Sequence, residues 1–179
     1  DRIQTPNFPC LGVTVSGGHT QLVLLKNQFD MEILGTTLDD AIGEAFDKCG
    51  KRMGLPYPSG PQIDKLAKEG NPHRFSFPIP NLPGYNVSYS GVKTAVINFL
   101  ANQEQKNSDF IQSNLNDLCA SIQYTLVQII LKKISKVTQE RKLSHIIVGG
   151  GVAANSEIRT QLQNIASKEG WTIFLPPFE

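Results

Sequence analysis

Long apolar runs are missing from this 179-residue chain. No stretch approaches the roughly 18 residues that a membrane helix needs, and the polar, proline-containing first ten residues show no secretory signal pattern. Cysteine is scarce: Cys10, Cys49 and Cys119 are odd in number and far apart, which excludes a disulfide framework and suits a reducing cytoplasm. The three histidines, His19, His73 and His145, stand alone without paired or HExxH spacing, so no complete metal site is expected here. His145 on a strand reads as a packed or hydrogen-bonded residue. A charge excess is also missing: the formal net charge of +1 announces no global field for nucleic acid, although a local patch stays open.

Several catalytic signatures are lacking as well. Ser16 is not framed as G-x-S-x-G, which argues against a nucleophile elbow. Gly91-Val92-Lys93-Thr94 lacks the spaced glycine of a phosphate-binding P-loop. No G-x-G-x-x-G occurs, which counts against a dinucleotide oxidoreductase. What is present is an ordinary globular composition, 40% hydrophobic and 18% charged, enough for one domain with or without a small insertion. The opening at Asp1 and the stop after Pro176-Pro177-Phe178-Glu179 read as cut ends, so a fragment is expected.

Two glycine-rich turns organise the chain. In Leu11-Gly12-Val13-Thr14-Val15-Ser16-Gly17-Gly18-His19-Thr20-Gln21-Leu22-Val23-Leu24-Leu25, two β-rich runs flank a tight turn and predict a hairpin. Adjacent glycines allow positive φ and leave backbone amides uncovered, a nest suited to phosphate. Ile146-Ile147-Val148-Gly149-Gly150-Gly151-Val152-Ala153-Ala154-Asn155-Ser156 predicts a buried strand, a triple-glycine turn and a helix capped by Asn155 or Ser156. Taken singly, each glycine is better explained by turn geometry; two such turns at strand ends favour a nucleotide cleft.

In order, residues 1–35 predict a hairpin sheet, with a third short strand at 32–35. Residues 36–140 are mostly helical around a proline-rich loop, and 141–179 form a βαβ segment on a parallel sheet. Thr36 or Thr37 is expected to cap a helix with apolar positions Leu38, Ile42, Ala45, Phe46, Cys49 and Met53, ended by Gly54. Its other face carries a Glu44–Lys48 pair at helical spacing. A short helix is expected over 62–69, irregular backbone over 71–84, a strand at 87–90, a helix from Gly91 to about Ala101 and a loop over 102–109. A long helix then runs over 109–138, with a break near 114–116 and a buried stripe of Leu118, Ile122, Leu126, Ile129, Ile130 and Ile134. Chemically, Ser16, Gly17 and Gly18 can hold phosphate, Asp47 and Asp64 can accept ribose hydroxyls, and Gly60 and Gly149–Gly151 permit close approach of a sugar or purine, with Asn155 as a polar contact.

These residues fall in blocks that resemble the tRNA N6-threonylcarbamoyladenosine synthase (TsaD) family, once described as glycoproteases. The blocks are Val15–Val23, Asp39–Lys48, Gly54–Ala67, Tyr89–Val96 and Gly149–Ser156, and the likeness runs along essentially the whole chain. Ser59, Tyr89 and Val92 stand where the family usually has glycine, phenylalanine and leucine. The resemblance implies an actin-like, Hsp70-like (ASKHA) α/β fold with nucleotide between two lobes, here an incomplete portion lacking the start of the N-terminal lobe and the C-terminal end. It also implies transfer of threonylcarbamoyl from threonylcarbamoyl-AMP to N6 of the tRNA adenosine beside the anticodon, with loss of AMP. The adenylate contacts implied are Thr14, Val15, Ser16, Gly17, Gly18, Asp47, Gly60, Asp64 and Asn155, and Lys93 is a candidate contact to tRNA phosphate. The family's metal, iron or zinc, is held by a histidine pair and an aspartate outside these residues, so this chain alone is expected to bind no metal and to be inactive. The partners implied are tRNA, a paralogous TsaB-type scaffold and a TsaE-type ATPase if bacterial, and no membrane; the location implied is the cytoplasm. The alternatives are an actin-like ATPase or sugar kinase, disfavoured because the 13–20 hairpin turn has no acidic residue to manage magnesium, and a non-catalytic scaffold paralogue.

Overall fold

Period-two alternation builds the sheet. In the computed structural model, which describes residues 5–177, β1 (Cys10–Val15) and β2 (Thr20–Leu25) form the expected hairpin, and β3 (Met31–Thr36) continues it antiparallel. Of the ends that read as cut, Asp1 and residues 178–179 lie outside the described residues. On the other side of β1, β4 (His145–Gly149) pairs in parallel, Leu11 opposite Ile146, and β5 (Thr172–Phe174) pairs in parallel with β4. The order is β3-β2-β1-β4-β5. Both glycine turns therefore leave neighbouring strands at one edge of the sheet, the carboxyl edge of β1 and β4, where ligands of α/β sheets bind.

One sheet face is buried under helices. Leu11, Val13, Val15, Ile146 and Val148 join a single core with α1 (Ile42–Arg52), α2 (Gly60–Ala67), α3 (Ser90–Lys106) and α5 (Leu115–Arg141). Gly12, Thr14 and Ile147, on the alternate positions, are only half-buried. The one-turn α4 (Phe110–Ser113) precedes α5, and α6 (Ser156–Glu169) links β4 to β5. The predicted α5 stripe from Leu118 to Ile134 is buried throughout. The expected break falls at Asn114, whose Nδ2 donates to the Phe110 carbonyl at 2.8 Å. No helix among the described residues is long and apolar enough to cross a membrane.

Three expectations are corrected. The helix expected from Thr36 or Thr37 starts at Ile42, and Leu38 is 60% exposed. The Thr37 hydroxyl closes a turn onto the Asp40 carbonyl at 2.7 Å, and the Ile42 N–H is taken by the Thr20 hydroxyl at 2.9 Å, so the cap comes from β2. Residues 87–90 make only an isolated bridge between Val87 and Thr37, because Asp39 draws the chain into α3 by accepting from the N–H groups of Tyr89 and Ser90 and the hydroxyls of Ser88 and Ser90. The 102–109 loop is helical through Lys106, since glutamine, glutamate and lysine are good helix formers and need only an exposed face.

Candidate nucleotide cleft

The Ser16–His19 turn is built by a side chain. Ser16 Oγ accepts from the N–H groups of Gly18 (3.3 Å) and His19 (2.9 Å) and donates to the His19 carbonyl. The hydroxyl expected to face phosphate is thus spent on the turn. Neither Gly17 nor Gly18 adopts the positive φ anticipated for them, and a Cβ on either would meet nothing within 4 Å. The fold itself does not demand these glycines. Gly43 is the demanded one: its N–H donates to the Ser16 carbonyl at 3.1 Å, and a Cβ there would lie 2.7 Å from the Gly17 Cα. α1 is thereby seated directly against the turn.

α1 then presents Phe46 and Asp47. Asp47 Oδ1 accepts the Ser59 N–H at 2.7 Å, which ties the proline-rich loop to α1. Ser59 also donates from its hydroxyl to the Pro56 carbonyl, and it packs where a side chain on Gly50 would stand. The loop leads into α2, which carries Asp64. That carboxylate accepts both the N–H and the hydroxyl of Ser156, the latter at 2.6 Å, and so joins α2 to the start of α6. Between β4 and α6, Gly150 takes φ +98° within 2.3 Å (from its missing Cβ) of the Val15 carbonyl. A single 3-10 turn over Gly151–Ala154 follows, and Asn155 caps α6 by accepting the Ile158 N–H at 3.1 Å.

These four segments enclose a cleft of about 410 Å³. Of the sequence-predicted residues, Gly17, Asp47, Gly60, Asp64, Gly151 and Asn155 line it together, whereas Gly149 and Gly150 do not. Thr14, Val15, Ser16 and Gly18 do not: Thr14 sits on the half-buried sheet face, the Val15 side chain belongs to the core, and Gly18 lies exposed beyond the wall. Sequence reading missed the apolar walls, Phe46, Pro58, Pro61 and the 85% exposed Tyr57 at the mouth. The three closely spaced prolines were the available signal, because they hold a loop rigid enough to form a wall. Flat apolar walls suit a planar base, and carboxylates suit hydroxyls. Each carboxylate is held by a backbone N–H and keeps lone pairs for a ligand.

Beside the cleft, α1 and α3 frame a groove with Lys48, Lys51, Arg52 and Lys93. Lys93 reaches Asp40 at 2.7 Å, Lys48 bridges Asp40 and Glu44, and Arg52 pairs with Glu104, so the candidate phosphate contact at Lys93 is engaged in an ion pair. Burial alone would raise the Asp40 carboxyl, but Lys93 and Lys48 outweigh it and lower the pKa. His145 Nδ1 accepts the Asn7 N–H at 2.9 Å, the hydrogen-bonded role expected of it. Among the described residues no three His, Cys, Asp or Glu side chains converge as metal ligands.

The whole chain, residues 1–179, matches the sequence profile of TsaD, tRNA N6-adenosine threonylcarbamoyltransferase. It is 49% identical over 179 residues to the tRNA N6-adenosine threonylcarbamoyltransferase of Christiangramia forsetii, covering all of this chain and 53% of the relative. The same-named protein of Bacillus subtilis is 44% identical, with 95% of this chain and 49% of the relative covered. The chain spans about half the length of the curated relatives it matches. Among solved structures, full-length HypF in its phosphate- and nucleotide-bound form aligns with a TM-score of 0.67 at 10% identity, covering 92% of this chain and 36% of that one. Component A of Acidaminococcus fermentans (R)-2-hydroxyglutaryl-CoA dehydratase aligns at 0.55 and 14% identity, covering 93% and 55%. The fold is a portion of the actin-like nucleotide-binding class.

Proposed function

Since the chain belongs to the tRNA N6-adenosine threonylcarbamoyltransferase family, we propose that its cleft holds the adenylate of threonylcarbamoyl-AMP for transfer to tRNA. In that reaction the N6 amine of the adenosine beside the anticodon bonds to the carbamoyl carbon, the bond from that carbon to the phosphate oxygen breaks, N6 loses a proton, and AMP leaves. The observation that carries the reading is the convergence of Asp47, Asp64 and Asn155 on one apolar-walled cleft beside both glycine turns. Asp47 and Asp64 receive ribose hydroxyls, Phe46 and Pro61 flank the base, and the amide side of Gly17 faces the phosphate. The described residues supply no three-ligand metal site. The divalent metal of the reaction, iron or zinc, is accordingly proposed to be held by the rest of the enzyme, and the part played by these residues is binding and orientation. We further propose a cytoplasmic enzyme working on tRNA with a TsaB-type scaffold and a TsaE-type ATPase.

The test is labelled-threonine incorporation into unmodified tRNA by the full-length protein with its adenylate-forming and accessory partners. Asp47→Ala and Asn155→Ala are expected to lose most incorporation while staying folded. Robust ATP turnover by the wild-type protein alone, with no incorporation in the complete mixture, would instead assign the cleft to a phosphoryl-transfer enzyme.

A further inference from the structure

The wall residue Asn155 is held from below by a buried partner on the long central helix. Gln123 lies on α5, 4% exposed, among the buried side chains of Ile122, Leu126 and Val127. A glutamine at such a position is costly unless it is hydrogen-bonded. Its Oε1 accepts the Asn155 Nδ2 at 2.7 Å, and Asn155 is itself only 8% exposed. At the other end of the same amide, Oδ1 accepts the Ile158 N–H. An asparagine amide has two N–H donors and a carbonyl with two acceptor positions. The α6 cap and Gln123 therefore use one of each and leave one N–H and one acceptor position.

The two bonds also do different things. The cap fixes which end of the amide is oxygen, because a flipped amide would set N–H against N–H. A group held at one end can still swing about that bond. The second bond removes the swing and fixes the plane. We propose that Gln123 is a positioning residue that orients the Asn155 amide toward the nucleotide. This rests on the reading of the cleft as an adenylate site with Asn155 as a contact.

The test measures AMP affinity of the full-length protein by calorimetry in a double-mutant cycle. Gln123→Met keeps the volume but lacks the acceptor, and Gln123→Glu keeps an acceptor oxygen. Gln123→Met is expected to weaken AMP binding about tenfold, the scale of one buried hydrogen bond. Gln123→Glu is expected to stay within about threefold of wild type, again less than one such bond. In an Asn155→Ala background, Gln123→Met should add nothing, since the positioned group is gone. An equal loss in both backgrounds, or no loss in either, overturns the proposal and leaves Gln123 a packing residue. If Asn155→Ala alone leaves AMP affinity unchanged, the reading of Asn155 as a contact falls first and the proposal with it. Should Gln123→Met fail to fold, the wild-type protein decides: slow solvent exchange of the Asn155 side-chain N–H protons by NMR supports the held amide, and exchange at the rate of a free asparagine overturns it.

Discussion

Tyr89 is fully buried, and its hydroxyl has no hydrogen-bond partner among the described residues. Burial pushes its phenol well above the ordinary value, so the group stays neutral and simply loses its water. An unsatisfied buried hydroxyl costs about 1–3 kcal/mol. Tyr89→Phe is therefore expected to stabilise the protein by about 1 kcal/mol or more, seen as a higher urea midpoint. Asp39 behaves in the opposite way. Burial alone would raise its carboxyl, but hydrogen bonds from Ser88, Ser90 and the Tyr89 N–H outweigh it and hold it at about 2, against an ordinary 3.8. A pKa lowered on folding stabilises above the unfolded value and loses that contribution as pH falls through the folded one. Unfolding midpoints should thus decline from pH 4 toward pH 2, and Asp39→Ala should flatten that limb. Of the two residues, sequence comparison marked only Tyr89, as a departure from the usual phenylalanine. Asp39 as the anchor of α3 could not be read, because its partners lie about fifty positions away.

At the scale of elements, contact and freedom divide the glycines. Gly43 carries the contact between α1 and the hairpin turn, where an added methyl would strike backbone that cannot yield. Gly43→Ala is expected to cost about 1–3 kcal/mol in unfolding measurements and to weaken AMP binding by displacing the wall. Gly17→Ala meets open space, so it should leave the melting temperature nearly unchanged yet weaken AMP binding, because Gly17 lines the cleft. Gly18→Ala, outside the wall, should do neither. The hairpin, the triple-glycine turn and the α5 stripe were legible because each has a local period or turn chemistry. The start of α1 was not, since its cap is a threonine on another strand. The Gln123–Asn155 bond was also invisible: periodicity marks Gln123 only as a polar interruption in a helix.

For the molecule as a whole, the single core makes the thiols of Cys49 and Cys119 reporters of global opening, while Cys10 is buried at an alternate position of β1 outside that core. Cys10, Cys49 and Cys119 are fully buried, and burial pushes the thiols of Cys49 and Cys119 up to about 12, far from the reactive thiolate. Cys49 and Cys119 should resist a thiol reagent in native buffer and become labelled together as urea unfolds the chain, measured by mass; early labelling of one would show a separable part. The same core depends on the parallel pairing of β1 with β4, which joins Leu11 to Ile146. A ribosome adds about 5–20 residues per second. The hairpin therefore leaves the tunnel on the order of ten seconds before the strand that must dock beside it is made. Through that interval the β1 edge that will pair with β4 stays open, which makes the nascent hairpin a natural client for a holding chaperone.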